Sequence, residues 1–356
     1  MYQHNQYQKG KPQQVAVVGA GVAGLSAALT LKKQGIGVVV FEKGETPGGH
    51  LQQWHALFPD REPAAGVLDQ LKQEASVQKI SLRTQTEVAA VTPSGNKFRI
   101  ETSQGEQNEF DAVLLATGFQ LFDAARKEEY GYGIYQRVIT SAGLEQRLGH
   151  GGTGLTVNGR PPHRVAFVHC VGSRDEKVGN HYCSKVCCVT GVKQAITVKE
   201  RYPQCEVLNF YMDLRMFGTG YEELYREAQE KWGVMFIRGR VSEASQMHDG
   251  TIQLKAEDTL MGRPVRATVD WLVLLVGMEP EKRAQQWARS LGLQTGQAGF
   301  FSSPEKFLHP SLTAVNGIFT AGACTGPASI PESVNQGRAA ALSVLEFLAE
   351  KDEAGK

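Results

Sequence analysis

Four of the six cysteines lie close enough in the sequence to bind one metal or cluster together. Cys170 is followed by Cys183, Cys187 and, immediately, Cys188, whereas the other two stand apart. Four thiolates suit an iron–sulfur cluster or zinc. No pair has the two-residue spacing of a zinc knuckle, and adjacent cysteines are poor partners for a simple disulfide. The spacing therefore indicates a metal or cluster site, with buried, unreactive thiols as the alternative.

A glycine-rich pattern near the N-terminus is typical of a dinucleotide site. Gly19-Ala20-Gly21-Val22-Ala23-Gly24 follows a short apolar strand and opens an apolar helix. The first glycine allows a tight turn, the second lets a pyrophosphate approach the backbone, and the third lets the helix pack on the strand. The carboxylate of Glu42, at the end of the next predicted strand, can bind a ribose that lacks a 2′-phosphate. The alternative is a glycine turn with a purely structural role. We predict nucleotide contacts at Gly19, Gly21, Val22, Ala23, Gly24 and Glu42.

Two later segments favour FAD over NAD at this site. Ala116-Thr117-Gly118 and the segment from Gly317 to Ala323 resemble motifs of the two-dinucleotide-fold flavoproteins, the glutathione reductase-like class. The resemblance implies FAD contacts at Ala116, Thr117, Gly118, Gly322 and Ala323. That class usually carries an acidic residue where this chain has Ala323.

The last helix begins at a capping-box pattern, Ser329-Ile-Pro-Glu332. By resemblance to the class, backbone amides near Ser333 and Val334 would meet the pyrimidine edge of the flavin and stabilise its anionic reduced form. Ordinary helix capping is the alternative.

We predict further cofactor contacts at Lys43, Gly48, Gly49 and Val88.

These motifs require a scaffold of alternating strands and helices. Apolar runs predict strands at 15–19 and 37–41 around the glycine pattern, a helix at 63–77, and an antiparallel ribbon within 80–115. Strands at 164–169, 206–211, 234–237 and 271–276, with a helix at 221–231, predict a second Rossmann-like unit. Residues 119–162 are expected to be a loop-rich crossing between the two, and a final helix is expected at about 332–350.

The expected fold class is α/β, a two-dinucleotide-fold flavoprotein of the glutathione reductase-like type. It has a Rossmann-type FAD domain and an inserted second Rossmann-like domain carrying an iron–sulfur site. We assign residues 1–13 to a flexible tail, 14–155 and 295–356 to the FAD domain, and 156–294 to the inserted domain with the cysteines.

The cysteine segment has a more specific resemblance. The sequences His169-Cys-Val-Gly-Ser-Arg-Asp-Glu176, His181-Tyr-Cys-Ser-Lys-Val-Cys-Cys188 and Lys193-Gln-Ala195 resemble the A-type subunits of heterodisulfide reductase. Similarity continues within 211–241 and again at 320–327, so it spans essentially the whole chain. The resemblance implies that Lys193, the predicted catalytic residue, lies near the reactive edge of the flavin. It also implies a 4Fe–4S cluster close to the flavin, bound by Cys170, Cys183, Cys187 and Cys188.

The second Rossmann-like unit lacks the glycine pattern of an NAD(P)H site. Its first strand runs into His169-Cys170-Val171-Gly172, and no GxGxxG follows. A cluster site is therefore expected in place of the nicotinamide pocket, with electrons transferred singly and not as hydride.

Several functions remain open at this point. The chain has none of the ferredoxin-type cysteine segments of full-length A-type subunits and resembles the short form of the sulfur-oxidising heterodisulfide reductase-like complex. That resemblance implies an electron-transfer subunit in thiol or sulfane-sulfur oxidation. The alternatives are the A-type subunit of a quinone-interacting membrane-bound oxidoreductase complex, a stand-alone NAD(P)H-dependent disulfide reductase using Cys183 and Cys187, and a noncatalytic scaffold.

Composition narrows the choice of partners. Lys and Arg (38) nearly balance Asp and Glu (37), giving a net charge of +1, so nucleic acid is not an expected partner. The chain has no apolar run long enough to span a bilayer and no signal-peptide pattern, so a cytoplasmic location is expected. The resemblance implies iron–sulfur and thiol-handling partner subunits, and a homodimer.

Overall fold

The structure, a computed structural model, describes residues 13–354. The predicted flexible tail therefore lies outside the described residues, except for Gln13. The strands are β1 (Gln14–Val18), β2 (Gly37–Phe41), β3 (Ser81–Arg83), β4 (Val88–Ser94), β5 (Lys97–Thr102), β6 (Gln107–Phe110), β7 (Ala112–Leu115), β8 (Phe119–Leu121), β9 (Val138–Thr140), β10 (Arg164–Val171), β11 (Glu206–Tyr211), β12 (Met235–Arg238), β13 (Val241–Gln246), β14 (Ile252–Asp258), β15 (Arg263–Val269), β16 (Trp271–Val276), β17 (Met278–Pro280) and β18 (Ile318–Thr320).

The helices are α1 (Val22–Lys33), α2 (Ala64–Val77), α3 (Ser141–Leu148), α4 (Cys187–Arg201), α5 (Tyr221–Glu230), α6 (Ala284–Leu291) and α7 (Ile330–Ala354). Within the described residues the chain forms two compact units. Unit 1 runs up to Leu51, from Leu68 to Phe119, and from Pro280 onward, and unit 2 comprises Gln52–Val67 and Gln120–Glu279.

Unit 1 is built on a parallel sheet in the order β18-β7-β1-β2-β3. The strand β1 has four consecutive buried residues, as expected for a central strand covered on both faces. On one face α1 packs against α7 so closely that a Cβ at Gly337 would lie 2.2 Å from the Ala23 carbonyl oxygen. The antiparallel ribbon β4-β5-β6 and α6 contribute to the apolar cluster that contains Phe41 and Val113.

Unit 2 repeats this plan with the parallel sheet β12-β11-β10-β16-β9. Every residue of β16 is buried, and one face of the sheet is covered by α3, α4 and α5. The antiparallel sheet β13-β14-β15 contributes to the second apolar cluster. Two Rossmann-like parallel sheets confirm the predicted α/β fold class.

The division along the chain falls at other places than the expected boundaries. Residues 52–67 and 120–155, assigned from the sequence to the FAD domain, belong to unit 2. In the second of these segments β9 pairs with β16, and α3 follows it. Residues 280–294, assigned to the inserted domain, belong to unit 1, where α6 packs in the cluster with Phe41. A strand as short as β9 is too brief for a period-two pattern, so this region reads as loop.

Candidate functional site

The connection between β1 and α1 forms a tight cradle in unit 1. Gly19 has φ +103°, and a Cβ there would lie 2.4 Å from the Ala116 carbonyl oxygen. A Cβ at Gly24 would lie 2.0 Å from the Gly19 oxygen, so both positions require glycine. Gly21 differs, because nothing lies within 4 Å of the place for its Cβ. It caps α1 without a side-chain hydrogen bond, leaving the positive end of the helix open toward that space.

Glu42 lies beside this cradle, immediately after β2. Its Oε2 accepts a hydrogen bond from the Ala20 amide at 2.9 Å, and its Oε1 accepts one from the Gly44 amide at 2.8 Å. These bonds tie the end of β2 to the glycine turn and hold the carboxylate at the cradle. The expected contact with a ribose stays a prediction.

Further predicted residues meet the cradle from later parts of unit 1. The Gly48 amide donates to the Ala20 oxygen at 2.8 Å, and a Cβ at Gly49 would lie 3.3 Å from the Gly21 Cα. A Cβ at Gly322 would lie 2.6 Å from that of Ala23, and its place is 3.9 Å from the Cβ of Ser333. The structure therefore brings these residues together around the start of α1.

Other predicted residues have different surroundings. Ala323 is buried in the turn after β18, and Val334 follows Ser333 on α7. Val88 is 3% exposed and belongs to the apolar cluster of Phe41, so its side chain packs in the core and the expected contact stays a prediction. Lys43 is exposed, and its ammonium lies 3.2 Å from the Glu281 carboxylate.

The end of β7 carries a polar atom that fits a bound dinucleotide. The Thr117 Oγ1 is buried and has no hydrogen-bond partner among the described residues. Together with the open space at Gly21 and the close backbone approaches, this unsatisfied hydroxyl fits a dinucleotide lying across the cradle. Sequence reasoning missed Gln336, whose Oε1 accepts the Gly322 amide at 2.9 Å and fixes that turn against α7.

In unit 2 the four clustered cysteines lie on one strand–loop–helix segment. Cys170 lies near the end of β10, Cys183 lies in the connection, and Cys187 and Cys188 begin α4. Cys183 is half-buried, whereas the other three are buried. Left-handed backbone at Cys170 (φ +59°), Arg174 (φ +53°) and Lys185 (φ +65°) marks this segment as strained.

Three of these thiols interact with one another. A hydrogen bond with Cys187 lowers the pKa of Cys170 to about 7, against burial, which raises it. The same neighbour, with His169, lowers the pKa of Cys188 to about 4, while the pKa of Cys187 is raised. The His169 Nε2 lies 3.0 Å from the Asn209 Oδ1, which fixes the ring, and the Cys188 Sγ lies 3.6 Å from the Asp213 backbone oxygen.

No disulfide joins these cysteines, and Lys185 donates its amide to the Cys183 Sγ at 3.3 Å. Within residues 13–354, no group of three or more histidine, cysteine, aspartate or glutamate side chains is arranged so that it could hold a metal ion. The predicted 4Fe–4S ligation therefore stays a prediction.

Lys193 lies further along α4 in a buried ionic contact. Its side chain is 4% exposed, and its ammonium contacts the Glu145 carboxylate and donates to the Ala56 oxygen at 2.8 Å. Gln194 donates to the same carboxylate at 2.6 Å, and the His55 amide donates to its other oxygen at 2.8 Å. Burial lowers the pKa of Lys193, and Glu145 opposes that shift. Sequence reasoning missed Glu145, because it lies in the segment expected to be a loop-rich crossing and its partner Lys193 is distant in the sequence.

Comparisons with known proteins extend this picture. Residues 13–157 match the family described as pyridine nucleotide-disulphide oxidoreductase. The chain is 32% identical to the A-type subunit of the H(2)/formate:CoB-CoM heterodisulfide,ferredoxin reductase of Methanococcus maripaludis, with 92% of this chain aligned. It is 33% identical to the A-type iron-sulfur subunit of the CoB–CoM heterodisulfide reductase of Methanocaldococcus jannaschii, also over 92%.

These relatives are heterodisulfide reductase subunits of the A type.

The chain covers 63% of the length of each of these two relatives. Among solved structures it is similar to thioredoxin reductase of T. acidophilum, with a TM-score of 0.65, 18% identity, and coverage of 94% of this chain and 98% of that one. The thioredoxin reductase of Lactococcus lactis gives the same score and identity over 95% and 99%. At such low identity, the likeness shows the fold alone. Within residues 13–354, no helix has the length and apolar character needed to cross a membrane.

Proposed function

We propose that this chain is an FAD-containing electron-transfer subunit of a heterodisulfide reductase-like complex. We further propose that Cys170, Cys183, Cys187 and Cys188 bind a 4Fe–4S cluster in it. The observation that carries the proposal is the connection from β10 to α4, where cysteines stand in place of the glycine turn of a dinucleotide site.

The two units differ in the connection between their central strand and the following helix, and this difference supports the proposal. In unit 1 the parallel strand β1 reaches α1 through Gly19, Ala20 and Gly21 alone, which is the short turn a pyrophosphate needs. In unit 2 the equivalent central strand β10 reaches α4 through residues 172–186. Such a long connection gives no short glycine turn for a second pyrophosphate. An NAD(P)H site at this place is therefore not favoured.

The cradle of unit 1 would hold FAD through residues at the start of α1, at Glu42 and at the ends of β7 and β18. When bound, FAD supplies conversion between two-electron and one-electron transfer. The glycines let the backbone approach the phosphates, and the α1 N-terminus offers its amides to them. The Thr117 hydroxyl would gain a partner. A role for Lys193 near the flavin belongs to this proposal, because the heterodisulfide reductase resemblance implies it.

The donor set of unit 2 is suited to iron and sulfide. Four thiols from one segment are the ligands that a 4Fe–4S cluster requires. A four-iron cluster separates its cysteine sulfurs more widely than a single metal ion does, so it suits thiols that are near one another without forming a compact metal site. The buried surroundings of Cys170, Cys187 and Cys188 would shield the cluster from water.

The place of the subunit in metabolism is proposed from its resemblance to the sulfur-oxidising complex. Oxidation of two thiols to a disulfide at a partner subunit releases two electrons and two protons, and this subunit would receive the electrons. The partners would be iron–sulfur and thiol-handling subunits. Co-purification of such subunits with the tagged chain from its native host would support this role, whereas quinone-linked membrane subunits would support the alternative complex.

Anaerobic reduction of the purified holoprotein tests the flavin part of the proposal. Excess NADH or NADPH should leave the flavin absorbance unchanged over minutes, because unit 2 lacks a second glycine turn. Dithionite, or light with a sacrificial donor, should bleach the flavin in the same sample. Rapid bleaching by either nicotinamide would contradict the proposal and support a stand-alone disulfide reductase.

A further inference from the structure

A buried carboxylate lies inside the β10–α4 connection, between the first and second of the clustered cysteines. Asp175 is 1% exposed, and its Oδ2 lies 2.7 Å from the Lys127 Nζ and 2.9 Å from the Arg240 Nη2. Lys127 is itself 2% exposed and also contacts Glu129 at 2.8 Å. Asp175 is therefore buried in an ionic network although it lies in a connection between a strand and a helix.

Asp175 also forms hydrogen bonds with other residues of the β10–α4 connection. Its Oδ1 accepts the Lys177 amide at 3.1 Å, and its backbone exchanges two hydrogen bonds with Asn180, at 2.8 and 3.1 Å. The next pair along this small hairpin joins the Arg174 amide to the Tyr182 oxygen at 2.9 Å. Cys183 follows Tyr182 directly, so the hairpin determines where Cys183 is placed.

A second set of bonds holds the far side of the hairpin. The Asn180 Nδ2 donates to the Gly172 oxygen at 2.9 Å and to the Glu279 Oε1 at 2.8 Å. The Tyr182 hydroxyl donates to the Met278 oxygen at 2.7 Å, and the Met278 amide donates to the Ser184 Oγ at 2.9 Å. Cys183 is thus held between two anchored neighbours.

Burying the charges of Asp175 and Lys127 costs free energy of folding unless each charge has a partner of opposite sign. Burial raises the pKa of Asp175, but Lys127 and Arg240 lower it below its ordinary value, so the group stays charged. Replacing a buried pair with apolar residues is often neutral for stability, whereas in some proteins a buried pair specifies the local geometry. The strained backbone at Arg174 and Lys185, on either side of Cys183, needs such fixed surroundings to persist.

We propose that Asp175, Lys127 and Arg240 are positioning residues that hold Cys183 in place to complete the four-thiol site. The inference rests on the proposed function for the identity of the cluster. The positioning itself concerns the protein chain alone and can be tested without iron.

The first test follows alkylation of Cys183 in iron-free protein. Cys183 is the half-buried member of the group, so its reaction with iodoacetamide, followed by peptide mass, reports opening of the connection. Asp175→Asn should react about tenfold faster or more, since it leaves Lys127 without its main partner. Arg240→Gln, at a half-exposed site, should increase the rate of Cys183 alkylation by a smaller factor. This variant replaces Asp175→Asn in the test if Asp175→Asn does not fold. Unchanged rates in folded variants would overturn the proposal.

The matched control is Asp270→Asn. Asp270 accepts the His163 and Arg164 amides at 2.6 and 2.9 Å, at the opposite end of β10 from Cys170. This substitution should leave the Cys183 rate unchanged. An equal acceleration in the control would show general loosening of unit 2 and would also overturn the positioning role.

The second test reconstitutes the variants with iron and sulfide. Asp175→Asn should bind iron about 10-fold more weakly than wild type or worse, with a changed electron paramagnetic resonance spectrum of the reduced cluster and unchanged FAD content. Iron binding equal to wild type, with the same spectrum, would contradict the inference. Failure of wild type to take up iron would refute the proposed cluster, and the alkylation rates would still decide the role of Asp175.

Discussion

At the scale of single residues, the glycines of the cradle have distinct roles that the structure separates. A side chain at Gly24 would collide with the Gly19 oxygen, so this glycine is needed for the fold itself. Gly21 has open space at its Cβ and φ −73°, a conformation that any residue adopts. Its glycine is therefore not required by the protein chain, which points to a ligand.

We expect Gly21→Ala to lose FAD while keeping its fold. The added methyl group would occupy the space through which a pyrophosphate approaches the backbone. The measurements are flavin content after purification and the circular dichroism spectrum.

Gly66→Ala is the matched control, because it also has open space at its Cβ and lies in a helix, where alanine is favoured by about 1 kcal/mol. It should keep its FAD. Full flavin content in Gly21→Ala would mean that this glycine is not at the phosphates.

At the scale of elements, the buried contact of Lys193 with Glu145 ties α4 to α3. The same carboxylate accepts the backbone amide of His55, which joins a third segment of unit 2. Removing one partner of a buried pair leaves the other charge uncompensated, at a cost of about 3–5 kcal/mol. Removing either partner alone should therefore destabilise unit 2, whatever Lys193 does toward a flavin.

Glu145→Gln should lower the free energy of unfolding by about 3–5 kcal/mol at pH 7, measured by urea unfolding. Burial raises the pKa of Glu145, but Lys193 and Gln194 lower it below the ordinary 4.5. A carboxyl group with a depressed pKa in the folded state makes its full contribution to stability at pH values above its unfolded-state pKa. That contribution is lost as the pH falls through the folded-state pKa. The difference between wild type and variant should therefore shrink below about pH 4.5.

The control is Glu230→Gln, an exposed glutamate at the end of α5, which should change stability by less than about 0.5 kcal/mol. A variant Glu145→Gln that unfolds like wild type at pH 7, or a difference that grows on acidification, would refute the role given to this pair.

The sequence predicted the elements whose apolar pattern is long. The strands β1, β10 and β16 and the helix α1 lie close to their expected positions. It did not predict β9 or α3, because β9 has only three residues and α3 lies beside a glycine cluster. The burial of Glu145 and Asp175 was equally hidden, since each depends on a cation distant in sequence.

At the scale of the whole molecule, two units of one architecture carry different chemistry. Each has a central parallel strand followed by a helix, at β1–α1 and at β10–α4. Local glycine spacing made the first site predictable from sequence. The cysteine positions and the adjacent His169 were also visible in the sequence, but Asn209 and Asp213 were not, because β11 and the loop after it bring them to the site.

The central claim is that the cysteines of unit 2 bind an iron–sulfur cluster, and iron analysis tests it most directly. Anaerobically prepared wild-type protein should contain about four irons and four sulfides per chain, and Cys187→Ala should lose the iron while keeping FAD. Wild-type protein that holds zinc or no metal, or a Cys187→Ala variant with unchanged iron, would contradict the account.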